Sequence, residues 1–251
     1  MKLIRARHCS PVRGFTLVDL LVVIGVLGLL LSILLPATPR SGKLNKQRIA
    51  LTEASGISGA IQTYCLDYGS CPTSTNAAAN PGPGGDFTYG TAHLPTTVTV
   101  TSGGTYNANN SELMGILMAV SAATFPAGGA NPNSGNARNP RQTVYLNARL
   151  AADTTQPGVG ADFVYRDPWG SPYLISIDLN SDGVTFDSFH RLNSVSADGR
   201  QGLAPNPAAP APDNWAAKTP VMVWSFGPDR TADPTQPATA GQNADNVVSW
   251  H

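Results

Sequence analysis

The stretch RGFTLVDLLVVIGVLGLLLSILLPA, residues 13–37, decides the architecture of this chain. It contains one acid, Asp19, and eighteen uncharged residues follow that acid. At about 1.5 Å of rise per residue, such a run can cross most of the roughly 30 Å hydrocarbon core of a bilayer as a helix. The stretch therefore predicts a transmembrane segment at about residues 15–37, with an acid at its start that requires an explanation.

Composition alone leaves a cleaved secretory signal peptide open as the alternative. The apolar core of such a signal usually has about 7–15 residues and ends at a small-residue cleavage site. Here the run is longer, and LPATPR at 35–40 is a poor site of that kind. Basic residues lie on both sides of the run, so charge does not fix its orientation.

The junction Arg13-Gly14-Phe15-Thr16-Leu17-Val18-Asp19 resembles the processing site of type IV pilin precursors. That resemblance implies that a prepilin peptidase cleaves the leader, residues 1–14, between Gly14 and Phe15 and methylates the new amine. The apolar helix then stays attached. A single-pass protein of the inner, cytoplasmic membrane is implied, with its head in the periplasm or in an extracellular filament.

Asp19 departs from the pilin pattern, which usually has Glu at this position. The resemblance implies that its carboxylate pairs with the N-terminal amine of a neighbouring subunit in a homo-oligomeric filament. Leaving either buried charge unpaired would cost several kcal/mol. Because Asp is one methylene shorter than Glu, the pair would need a closer approach. The alternative is an acid at the membrane surface with no partner.

A second helical pattern follows the apolar run. Apolar residues recur at spacings of three, four or seven, as in one stripe of an amphipathic helix: Leu44, Leu51, Ala54, Ile57, Ile61 and Tyr64. Gly69 suits the left-handed position just after a helix. We therefore expect one long helix over residues 15–69. Its first half is apolar on all sides, and its second half is amphipathic.

Cys65 and Cys71 lie at the end of this predicted helix. Inside one helix, their rise alone would separate them by about 9 Å, too far for a disulfide. A turn at Gly69 would fold Cys71 back into reach and pin the helix end to the head. Two unlinked buried thiols are the alternative.

Residues 70–251 predict an α+β head, with the helix packed on a small antiparallel sheet. The segment 75–160 is rich in Asn, Gly, Ala, Thr and Pro and is expected to be mostly loop. Alternating residues at 173–179 predict a strand, the turn Asn180-Ser181-Asp182-Gly183 follows, and 184–190 could return as its hairpin partner. Residues 221–226 predict a last strand.

Three motifs in the head occur in a fixed order: DPWGSPY at 167–173, SFGPDR at 225–230 and GQNADNVVSW at 241–250. Together with the processing site, they resemble the major pseudopilin of type II secretion systems. The resemblance covers about the first 75 residues and, in pieces, the last 90. It implies a pilin-like fold and a pseudopilus built with minor pseudopilins on an inner-membrane assembly platform. A type IV pilin or minor pilin of a surface filament, for adhesion, motility or DNA uptake, is the alternative.

In that family the last loop holds calcium through carbonyl and aspartate oxygens. Carried over, the ligands would be the Phe226 carbonyl and the side chains of Asp229 and Asp245, and solvated surface aspartates are the alternative. Arg230, Asn246 and a longer loop depart from the family pattern. A second candidate calcium loop contains Asp178, Asn180 and Asp182, but it lacks the Glu at position twelve, so a plain turn explains it equally well.

Other functions find little support in the sequence. His93, His190 and His251 lack metal-ligand spacing, and no G-x-S-x-G, H-E-x-x-H or P-loop motif occurs, so we expect no enzyme activity. The formal net charge is zero, so the composition does not indicate a nucleic-acid partner, and we expect none. A secreted binding or enzymatic domain that uses the helix only as an anchor remains a third possibility.

Overall fold

In a computed structural model, the structure describes residues 14–34, 38–96, 98, 108–199 and 201–250. The chain divides into two compact units, Met1–Leu44 and Asn45–His251. Most of the predicted leader, residues 1–13, and residues 35–37 at the end of the apolar run lie outside the described residues.

The first unit contains helix α1, Leu17–Leu34. Its sequence is apolar around the whole circumference apart from Asp19, and the side chains described from residue 14 to residue 31 are all exposed. Within the described part of the chain, no helix is both long and apolar enough to cross a membrane. The membrane span at 15–37 therefore stays a prediction.

Helix α2, Thr38–Tyr68, continues into the second unit and ends where the sequence predicts. Gly69 has φ +68°, and its N–H donates to the carbonyl of Cys65 at 2.8 Å. The predicted buried stripe is correct only in its second half. Leu44 and Leu51 are 53% and 45% exposed, whereas Ala50 is fully buried. Only the later turns of α2 have the core packed against them.

The main sheet of the head has four antiparallel strands in the order β1-β4-β7-β8. Residue pairs such as Phe87 with Ile177 and Leu174 with Trp224 set its register. Its strands are β1 Phe87–Tyr89, β4 Leu174–Ile177, β7 Val221–Ser225 and β8 Val247–Val248. The smaller elements are α3 Thr75–Ala79, α4 Ser111–Leu117, β2 Gly158–Val159, β3 Tyr165–Arg166, α5 Asn193–Ser196, β5 Ala204–Pro205 and β6 Trp215–Ala216.

Both faces of the sheet are buried. On one face, the side chains of β4 and β7 pack with α2 and α4 in one apolar cluster: Ala54, Ile57, Ile61, Tyr64, Leu113, Ile175, Ile177, Val221 and Val223. On the other face, Leu174 and Trp224 pack with Phe189, Phe226 and Val248. The two central strands are therefore fully buried instead of alternating. A helix on a small antiparallel sheet confirms the α+β prediction.

Described residues of the segment 75–160 are part of this core. They contribute edge strand β1 and helix α4, whose Leu113, Met114, Ile116 and Leu117 are fully buried. The same segment holds the end of α2 through tyrosine hydroxyls. Tyr68 donates to Asn139 Oδ1 at 2.9 Å, and Tyr145 donates to Asp67 Oδ2 at 2.8 Å.

The prediction that residues 184–190 return as the hairpin partner of β4 is wrong. Strand β4 pairs with β1 and β7, and residues 184–190 form no strand beside it. Instead, Asp187 caps the following turn, because its Oδ1 accepts the N–H groups of Phe189 and His190 at 2.9 and 2.8 Å. Strands β1 and β7, which are distant from β4 in sequence, pair with its two edges.

Candidate functional site

The predicted processing site lies directly before α1. Gly14 to Thr16 are non-helical and exposed, and the Phe15 side chain is 75% exposed. A Cβ on Gly14 would meet no atom within 4 Å. Among the residues the structure describes, nothing therefore covers Gly14 at this bond.

Asp19 belongs to a capping box at the start of α1. Its Oδ2 accepts the N–H of Thr16 at 3.0 Å and the Thr16 hydroxyl at 2.7 Å, and the Asp19 N–H donates to that hydroxyl oxygen at 3.3 Å. This reciprocal bonding satisfies backbone donors that the first helical turn leaves without partners. The signal was present in the sequence as Thr16-x-x-Asp19, but the two expectations for Asp19, a neighbouring amine or no partner, both left out Thr16.

The capping box does not use the whole carboxylate. Both hydrogen bonds from Thr16 reach Oδ2, and Oδ1 takes part in neither. An Asp in the first turn also interacts favourably with the positive end of the helix dipole. The local arrangement therefore holds the carboxylate at the N-terminal end of α1, three residues from Thr16, with one oxygen outside the cap.

The apolar surface next to this site is large and continuous. Thirteen large apolar side chains between Phe15 and Leu31 are each exposed by 46% or more. Contiguous apolar patches of this extent are rare on soluble monomers and mark surfaces that bind lipid or protein. The acid at the helix start and this apolar surface together form the candidate assembly site of the first unit.

Cys65 and Cys71 form a disulfide in the structure, across the end of α2. Gly69 provides the left-handed turn between them. The bridge lies near the contacts that Tyr68 and Asp67 make with residues 139–145. It therefore fixes the point at which the helix enters the rest of the head.

The first predicted calcium site is partly assembled. Gly227, next to Phe226, lies against Asp245, because a Cβ on Gly227 would be 2.2 Å from the Asp245 carbonyl oxygen. Only glycine with its φ of +72° permits this approach. Asp229 is exposed, and its Oδ1 accepts the Thr231 N–H at 3.0 Å. The structure thus joins the Phe226 and Asp245 segments and leaves Asp229 at the surface.

Asn246 adds a feature that the sequence did not predict. Its side-chain oxygen and nitrogen are buried and have no hydrogen-bond partner among the described residues. A buried amide oxygen without a donor is a suitable hard ligand for calcium. However, among the residues the structure describes, no group of three or more His, Cys, Asp or Glu side chains could hold a metal ion. Calcium at this loop stays a prediction.

The second predicted calcium loop is bonded as a turn. Asp178 Oδ1 accepts the Ser181 N–H at 2.6 Å, and its Oδ2 accepts the Gly183 N–H at 2.8 Å. Asp182 Oδ1 accepts the Val184 N–H at 2.9 Å, and the Asn180 amide donates to the Gly84 carbonyl at 2.9 Å. These bonds are typical of an Asp-stabilised turn, which was the alternative to metal binding.

Asp86 lies behind this turn and was not singled out in the sequence. Its Oδ2 accepts the Phe186 N–H at 2.7 Å, and its Oδ1 accepts the Leu179 N–H at 3.4 Å. Burial raises the pKa of the Asp86 carboxyl to about 7, and the carboxylates of Asp178 and Asp182 add to the rise. The two backbone hydrogen bonds oppose it only in part.

Comparison with known proteins gives one relative. The chain is 39% identical over 67 residues to the fimbrial protein EcpC of Eikenella corrodens, across 27% of this chain and 43% of that protein. The match thus spans less than half the length of the curated relative. No family profile and no solved structure matches the chain. Over this segment, the chain is related to a fimbrial, pilin-like protein.

Proposed function

We propose that this chain is a structural subunit, not an enzyme, that polymerises through its N-terminal helix into a pilus-type filament. The observation that carries the proposal is α1, an exposed helix that is apolar on all sides and has its one acid in the first turn. A helix of this kind needs lipid or other copies of itself around it. Similarity to a fimbrial protein supports the same role.

The finer proposal is a periplasmic pseudopilus that serves type II secretion. Its support is the order of the three head motifs, DPWGSPY, SFGPDR and GQNADNVVSW, behind the processing site. On this proposal, the partners are a prepilin peptidase, further copies of the chain, minor pseudopilins and an inner-membrane assembly platform. The subunit sits in the cytoplasmic membrane as a single-pass protein before assembly.

A surface pilus is the second candidate, and the fimbrial relative favours it. The two candidates differ in where the filament lies. Immunogold labelling of intact cells reaches a surface pilus, whereas a pseudopilus is labelled only after the outer membrane is opened. Deletion of the gene should stop export of secreted enzymes in the first proposal and leave export unchanged in the second.

We also propose that calcium orders the loop formed by residues 226–245. The close approach of Gly227 to Asp245 and the buried Asn246 amide support a cation there. The Phe226 carbonyl and the Asp245 and Asp229 side chains would hold it. Calcium would supply charge neutralisation and cross-link two loop segments that otherwise lose much entropy on ordering.

The processing site gives the direct test of the filament proposal. Protein isolated from its native membrane should begin at Phe15 and carry a methylated amine. Intact-mass measurement and N-terminal sequencing would show this. A chain that still begins at Met1, or one that begins near Ser41 as after signal-peptide cleavage, would refute the proposal.

A further inference from the structure

A cavity of about 280 Å³ opens on the head where four separate chain segments meet. Its walls include side chains or backbone of His93, Thr154, Arg166, Ser171, Phe226 and Arg230. Ligand-binding pockets for small molecules begin at about this size. Neither the filament role nor the calcium loop gives this cavity a function.

The cavity has an excess of positive charge. Arg166 is neutralised, because its Nη1 and Nη2 donate to the two carboxylate oxygens of Asp162 at 3.0 and 2.6 Å. Arg230 is different. Its Nε donates to Ser171 Oγ at 3.3 Å, and no described carboxylate lies within ion-pair distance of its guanidinium.

Two other acids near the cavity, Asp153 and Asp167, accept hydrogen bonds from backbone N–H groups. Asp153 Oδ1 accepts the N–H groups of Thr155 and Gln156 at 2.7 and 3.0 Å. Asp167 is buried and accepts the N–H groups of Trp169 and Ser171, both at 2.9 Å. None of the described acids therefore forms an ion pair with Arg230, and its guanidinium is open to a small anion.

The pKa of His93 is affected by the same two arginines. Partial burial lowers the pKa of its imidazole, and the nearby charges of Arg166 and Arg230 lower it further. The ring is thus neutral at pH 7. An anion in the cavity would reverse part of this effect, because a negative charge favours the protonated ring.

The backbone at Arg230 adopts a conformation that is uncommon for arginine. Its φ is +62°, a left-handed conformation that disfavours residues with a Cβ. Arg230 ends a tight turn in which its N–H donates to the Gly227 carbonyl at 3.3 Å, and its side chain is exposed. Glycine or asparagine would suit this position better, and strained positions of this kind cluster at binding sites.

We propose that this cavity binds a tetrahedral oxyanion of the phosphate class, with Arg230 as its main contact and His93 as a second. The polar lining residues come from four separate segments of the chain, and donors on several sides suit a tetrahedral ion better than a planar carboxylate. Arginine binds phosphate oxygens through a rigid fork of N–H donors. Ser171 positions that fork by accepting from Nε. The proposal does not depend on filament assembly.

The test uses the full chain in detergent micelles and calcium-free buffer, with inorganic phosphate as the probe at constant ionic strength. Histidine-ring NMR follows His93, assigned with a His93→Gln variant. We expect a saturable shift and a rise in the pKa of His93 of about one unit. Arg230→Gln should weaken phosphate binding about tenfold or more. The matched charge control Lys218→Gln should bind as the parent chain does.

A further variant separates binding from folding. Arg230→Gly removes the guanidinium and the backbone strain together, so phosphate binding should be lost while the melting temperature stays or rises. Sulfate should compete with phosphate, and acetate should not. A linear shift without saturation, unchanged binding in Arg230→Gln, or acetate binding as tight as phosphate would each overturn the proposal.

Discussion

Asp19 shows how one side chain can serve the single chain and a filament. Within the chain, it completes the capping box with Thr16 through Oδ2. The proposed contact with a neighbouring amine can use Oδ1, so the two roles do not exclude each other. The cap would hold the carboxylate in one place before a neighbour arrives, which reduces the entropy lost on pairing.

Substitutions at two positions separate these roles. Asp19→Ala removes both and should abolish filaments in electron micrographs of cells, whereas Asp19→Glu should keep them. Thr16→Val removes the hydroxyl but leaves the carboxylate, so it should cost only about 1 kcal/mol of helix stability and still allow filaments. Equal loss of filaments in Asp19→Ala and Thr16→Val would show that Asp19 acts only as a cap.

Asp86 predicts a pH dependence of the stability of the head. Burial raises the pKa of its carboxyl from an ordinary value near 3.8 to about 7 in the folded chain. Between these values the folded state holds a proton that the unfolded state has lost. The contribution of Asp86 to the free energy of unfolding therefore rises as the pH falls from 7 to 4. Above pH 7 the carboxyl is ionised in both states, so this contribution no longer changes with pH.

Asp86→Asn removes this titration while keeping one amide oxygen as an acceptor. Denaturant unfolding at several pH values should show that the parent chain gains up to a few kcal/mol over the variant between pH 7 and pH 4. Because both chains share all other acids, including Glu53 and Asp167, their difference reports the titration of Asp86 together with its coupling to Asp178 and Asp182. A difference that is flat or shrinks towards pH 4 would contradict the prediction.

At these residues, prediction from sequence worked where the signal was local. Gly69 was expected to end a helix, and it does so with a left-handed φ. Asp178 and Asp182 were compatible with a turn and are bonded as one. Asp86 could not be identified, because its burial depends on Phe186 and Leu179, about a hundred residues away along the chain.

At the scale of elements, the errors arise from pairing over long sequence distances. The hairpin after residue 183 was predicted from a suitable turn and an alternating segment. Strand β4 instead has β1 and β7 on its two edges, so residues 184–190 have no edge to join. The exposure of Leu44, which was expected to be buried, has a related cause, since the helical period marks a face but not where along the helix the core begins.

Two loops compete for the proposed calcium, and thermal unfolding of the full chain in detergent can separate them. Calcium at a hundredfold excess over Kd would add about 2.7 kcal/mol, so chelator should lower the melting temperature by several degrees. Magnesium should restore it poorly, because it requires tighter octahedral geometry. Asp245→Ala should abolish this response.

Asp182→Ala is the matched control for the calcium prediction. Its Oδ1 accepts the Val184 N–H directly after the 178–183 turn, so the variant should be slightly less stable but should keep the full response to calcium. The opposite pattern would move calcium to the turn. An unchanged melting temperature of the parent chain in chelator would remove calcium from both loops.

At the scale of the whole molecule, the two units differ in what they can do alone. Among the α2 side chains that the structure describes, the buried ones all lie in the second unit: Ala50, Ala54, Ile57, Ser58, Ala60, Ile61 and Tyr64. The exposed apolar side chains of α1 all lie in the first. The described core of the head therefore lies from residue 45 onwards, while the exposed apolar helix α1 lies in the part before it.

A chain cut at residue 45 tests this division. The fragment 45–251 should stay monomeric in water without detergent, as measured by light scattering, and should keep a cooperative thermal transition. It should form no filaments, because it lacks the helix through which we propose that subunits assemble. A fragment that starts at Ser58 is the control. Unlike the 45–251 fragment, it lacks Ala50, Ala54 and Ile57. Losing Ile57 alone should lower the free energy of unfolding by about 2–5 kcal/mol, which is enough to unfold a marginal domain. Filaments from the 45–251 fragment would show that the head alone drives assembly, and an unfolded 45–251 fragment would show that the head needs the first unit to fold.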